Sequence, residues 1–122
     1  MKFIIDVIED IRTAIDNDGL FTLGVMALQE QKSGEYLPAW RSGISHMQLD
    51  EKGQKLFLFP GKDESIDMEE FLQRLNALPN EKMMYEVCVS FSKEQRRIDS
   101  SLIGFGESLE DKQYLLFIRD IR

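Results

Sequence analysis

The sequence predicts an α+β fold: a single domain in which a largely antiparallel sheet carries two amphipathic helices on one face. Three observations predict it. Two stretches place apolar residues at helical spacing, one at the start of the chain and one near its middle. The other apolar residues alternate with polar ones or form short continuous runs, as strands do. Turn residues recur about every 10 to 15 positions, so connections are short and neighbouring strands antiparallel.

Residues 2–17 form the first expected helix. Ile4, Ile8, Ile11 and Ile15 make its apolar stripe, flanked by Val7 and Ala14, and Asp6, Glu9, Asp10 and Asp16 take the other side. Asn17-Asp18-Gly19 ends it, because glycine tolerates a left-handed cap. Residues 20–29 predict a central strand, with Phe21, Leu23, Val25 and Ala27 on one face and Leu20, Met26 and Leu28 on the other. Gln31-Lys32-Ser33-Gly34 turns the chain, and residues 35–40 return. Pro38 assigns that return to an edge or a bulge. Residues 44–49 and 55–59 form a hairpin about Asp50-Glu51-Lys52-Gly53, with glycine expected at positive φ.

The second helix has the clearest local code. Asp67 caps it, Glu70 completes a capping box, and Ile66 and Phe71 form a hydrophobic staple. Phe71, Leu72, Leu75 and Leu78 supply its buried face, and Pro79 stops it. In residues 83–91, Met83, Tyr85, Val87, Val89 and Phe91 face the core, while Met84, Glu86, Cys88 and Ser90 face outward. Residues 98–105 and 113–119 are the last strands. The order is α-β-β-β-β-α-β-β-β over residues 1–122, with no internal repeat, low-complexity segment or linker.

Composition excludes several functions. The 15 Lys+Arg against 22 Asp+Glu give a net charge of −7. That argues against coating duplex nucleic acid or an anionic membrane, which needs clustered cations. A single cysteine, Cys88, allows no internal disulfide and no thiolate metal site. A single histidine, His46, removes zinc sites built from several imidazoles. Asp6, Glu9 and Asp10 interrupt the apolar start, so it does not read as a secretory signal. The expectation is a cytoplasmic protein with no cofactor, no metal and no membrane partner.

Most motifs have an ordinary explanation. Asp16-Asn17-Asp18-Gly19 suggests a calcium loop, but Ala14 and Val25 stand where ligands are needed. Gly61-Lys62 lacks the earlier glycine and the following Ser or Thr of a phosphate loop. Gly104-Phe105-Gly106 reads as a kink at a strand end. Ser45 and His46, adjacent on a strand, are expected on opposite faces and so not as a nucleophile–base pair. Cys88 reads as a structural thiol, and Lys93, Arg96 and Arg97 as a solvated turn. The least ordinary segment is Leu37-Pro38-Ala39-Trp40-Arg41-Ser42-Gly43, with the only tryptophan beside an arginine.

No catalytic residues are assigned. The expected function is a non-enzymatic module of adaptor, chaperone, immunity or inhibitor type that binds another protein. A homodimer is compatible with the two apolar faces of residues 20–28. The candidate partner surface is Trp40, Arg41 and His46. Asp63, Glu64, Glu69 and Glu70 form a candidate acidic face, although acids at a helix start also simply complement its dipole. Two alternatives stand beside this reading. One is a small-ligand binder or enzyme near Trp40, Arg41 and His46, in which Arg41 holds an anionic group and His46 moves protons. The other is an acidic mimic of nucleic acid. Residues 1–18 carry −3 and residues 62–70 carry −4, which together equal the whole net charge. The acidity therefore belongs to the two helices, leaving the opposite side near neutral.

Overall fold

The computed structural model describes residues 1–19, 21–61 and 66–120. Its elements are α1 (Ile4–Asp18), β1 (Thr22–Glu30), β2 (Tyr36–Asp50), β3 (Lys55–Gly61), α2 (Met68–Asn76), β4 (Glu86–Lys93), β5 (Arg96–Ser108) and β6 (Gln113–Arg119), with one 3-10 turn at Asn80–Lys82. The α+β class and the order of elements are as the sequence predicts. The strands expected at 35–40 and 44–49 are one continuous strand, β2.

The sheet closes into a barrel in the order β1-β2-β3-β4-β5-β6. Neighbours within each meander are antiparallel, but the two seams, β3 with β4 and β6 with β1, are parallel. The sheet is thus mixed, where a largely antiparallel one was expected. Each parallel seam joins strands that the chain visits far apart or across a helix, a pairing short-range turn signals do not encode. Closure also removes sheet edges that would otherwise invite aggregation.

The barrel consists of two αβββ halves related by an internal pseudo-twofold. Thr22 pairs with Gln113 in one seam as Glu86 pairs with Lys55 in the other. Gly24 opposes Gly43 as Cys88 opposes Ser101. A β-bulge between Ile44 and His46 in β2 matches one between Leu102 and Gly104 in β5. Each helix starts against the other half: the Ile4 amide donates to the Tyr85 carbonyl at 3.0 Å, and the Met68 amide to the Phe21 carbonyl at 3.2 Å. The bridges Phe3 to Glu86 and Asp67 to Thr22 repeat the relationship. Few equivalent positions share a residue; Val25 with Val89, Ser42 with Ser100, Leu58 with Leu116 and Phe59 with Phe117 do. The duplication is topological and does not show as a sequence repeat.

Both helices begin where β1 and β4 begin and pack on each other, with Arg12 donating to the Asn76 side-chain oxygen at 3.0 Å. They share one core with the inner barrel face: Ile4, Val7 and Ile11 from α1, Met68, Phe71 and Leu75 from α2, and Leu23, Val25, Val89, Leu102 and Leu116 from the strands, all fully buried. Asp67 caps α2 as expected, accepting from the Glu70 amide at 2.8 Å. The Glu70 carboxylate pairs with Arg74 at 2.7 Å. In α1 the reciprocal bond is present, because the Phe3 amide donates to Asp6 at 2.8 Å.

Three local expectations change. The turn after β2 places positive φ at Gln54, not at Gly53, whose amide is held by Asp50 at 3.1 Å. β4 is buried on both faces, since Glu86, Cys88 and Ser90 are covered as well as Val87 and Val89. Gly104 and Gly106 lie within β5, not at its end. A Cβ on Gly106 would stand 2.4 Å from the Phe117 ring, so glycine there admits that ring.

Candidate functional site

The two halves differ at one end of the barrel in how far their seams stay paired. The β1/β6 seam stays paired through Leu28 and Arg119, whereas β3 pairs with β4 only as far as Leu58 and Val89. Phe59, Pro60 and Gly61 lie beyond the end of that ladder. Proline cannot donate to a ladder and is found where a strand has a free edge; its counterpart in the intact seam is Ile118.

An open cleft of about 440 Å³ lies where the seam parts, lined by Trp40, Arg41, Ser42, Pro60, Gly61, Phe91, Ser92, Lys93 and Asp120. Trp40 and Phe91 meet edge to face with centroids 5.1 Å apart. Lys93 reaches both carboxylate oxygens of Asp120 at 3.2 Å. The Asp120 side chain is 6% exposed and that of Lys93 36%, so the pair puts one buried charge and its cation at the cleft wall.

The second asymmetry is the β1–β2 hairpin. Residues 28–39 link Ala27 to Trp40, while only residues 92–97 link the equivalent Phe91 and Ile98, so the first connection is twice as long. This arm is exposed over residues 32–39. Ala39 is the extra residue of a bulge, beside Pro38, as the proline foretold. The bulge has a consequence for side-chain direction. Trp40 opposes Ala27 and Leu37 opposes Gln29, and directly opposed residues share a face. Leu37 and Trp40, three apart, therefore face the same side, and of the two Trp40 borders the cleft. Leu37 is 51% exposed. On the other face, Tyr36 accepts a 2.6 Å bond from Arg119.

Of the candidate surface, Trp40 and Arg41 border the cleft and His46 is not among its lining residues. The guanidinium of Arg41 is engaged by Gln113 at 2.6 Å and Asp111 at 3.0 Å. His46 lies on the outer wall, stacked on Phe59 at 4.4 Å, with Arg97 over the same ring at 5.7 Å and over Phe57 at 4.8 Å. Arg97 also pairs with Asp99 at 2.9 Å.

Ser45 and His46 contradict the expectation that they cannot meet. Ser45 is the unpaired residue of the β2 bulge, and its Oγ lies 2.9 Å from His46 Nδ1. The bulge interrupts strict alternation, which brings adjacent side chains together. The Ser45 hydroxyl donates to the Phe59 carbonyl at 3.1 Å. The Phe59 carbonyl and His46 Nδ1 are therefore both within hydrogen-bond distance of a hydroxyl that has one proton to donate.

None of the remaining candidates among the described residues lines the cleft. Cys88 is 2% exposed, and burial, with Glu86 beside it, pushes its thiol up to about 11. Burial, with a hydrogen bond to Asp10, raises the Tyr114 phenol far above its usual range and ties β6 to α1. Gly19 takes φ 91° and ends α1. Glu69 and Glu70 are exposed on α2, while Asp63, Glu64 and Lys62 lie outside the described residues. Among the described residues no group of three or more acidic, histidine or cysteine side chains is placed to hold a metal ion, and no helix is long and apolar enough to cross a membrane.

Sequence reasoning missed Pro60, Phe91 and the Lys93–Asp120 pair. Their meeting depends on where a parallel seam stops. The one available signal was Pro60, in a strand whose other residues all suit a central position. Comparison with protein-family models, curated proteins and solved structures finds no match.

Proposed function

We propose that the protein is a non-enzymatic binding module, of adaptor, chaperone, immunity or inhibitor type, that takes an apolar side chain of another protein into the cleft at the parted seam. The observation that carries this reading is the shared orientation of Leu37 and Trp40. The arm carries a half-exposed leucine on the same side as Trp40, which lines the cleft together with Pro60 and Phe91. A small molecule in the cleft would leave the arm uncovered, whereas a protein surface covers both. Aromatic anchors in a recess with a charged pair at its rim are what energetic centres of protein interfaces consist of.

The enzyme alternative draws less support, because His46 and Ser45 are not among the residues that line the cleft. The nucleic-acid mimic keeps one supporting observation, the adjacency of the two acidic helices. Affinity capture from the native host separates these readings. A stoichiometric protein lost on Leu37→Asp and kept on the double change Glu69→Lys with Glu70→Lys supports the cleft. The reverse pattern supports the acidic helices.

A further inference from the structure

We draw no further inference here: the strongest candidate, the apolar cleft beside Trp40 and Phe91 where the β3/β4 seam parts, carries nothing beyond the binding already proposed, because nothing in the structure shows what covers it.

Discussion

Pro60 and Ile118 occupy equivalent places in the two halves of the barrel, and only Ile118 is paired on both sides. Ile118 lies between Leu102 of β5 and Ala27 of β1, while Pro60 is paired with Ile44 of β2 alone. The cleft lies beside the residue that has a partner strand on one side only. An internally repeated fold thus shows where its sequence has been released from the repeat. The arm and the parted seam are two such places, as are the helices, with 15 residues in α1 and 9 in α2.

Truncating Trp40 tests whether that release serves binding. Trp40→Ala is expected to weaken partner binding by about 2 kcal/mol or more, as central aromatic anchors do. The side chain is half-buried at the cleft and not enclosed by the core, so cooperative unfolding is retained. Binding of the captured partner by calorimetry, read beside a urea melt, checks both halves of the expectation.

The helix end of the barrel responds differently. Phe71 is fully buried among residues of both helices and the strands, and Phe71→Ala is expected to cost about 3 to 5 kcal/mol by opening a cavity. A loss below about 1 kcal/mol in urea melts contradicts the packing of α2 described here.

The Lys93–Asp120 pair predicts a non-additive result. Lys93→Met leaves the Asp120 carboxylate buried without its cation and is expected to cost about 1 to 3 kcal/mol. Adding Asp120→Asn removes the charge and recovers much of that loss. A double-mutant cycle on urea stability measures the coupling, and strict additivity shows that the pair does not interact.

Cys88 predicts a pH dependence with a definite sign. Its thiol is raised from an ordinary value near 9 to about 11 in the folded chain. The unfolded chain therefore loses this proton first as pH rises. The contribution to stability is complete below pH about 9 and is lost between about 9 and 11. Cys88→Ala is expected to remove that slope. Alkylation of native Cys88 at mild pH is expected to be slow and to become fast in denaturant.

The legible parts of this fold were local. Asp67 before an amphipathic run announced its helix, because a cap and its amide are three residues apart. The isoleucine stripe of α1 and the inner face of β1 were equally direct, since periodicity alone sets which side is buried. Bulges were not legible as such. Ser45 reversed the expected relation to His46 by adding one residue that nothing beside it announces, and Ala39 turned Leu37 to the side of Trp40, where Pro38 marked only an edge or a bulge. The parallel seams were hidden for another reason. They join β1 to β6 and β3 to β4, and such pairings are settled by barrel closure, not by turn chemistry. The cleft inherits that opacity, because Phe91, Pro60 and Asp120 meet only through the seam.

Trp40 is the only tryptophan, so its fluorescence reports on the cleft alone. The most direct measurement is therefore a titration of the full chain with its captured partner, followed by tryptophan emission with excitation selective for indole and a partner background subtracted. Occupation of the cleft predicts a saturable blue shift, as the half-exposed indole leaves water, and no such shift with Leu37→Asp. A partner that binds stoichiometrically while the emission of Trp40 stays unchanged would contradict the account.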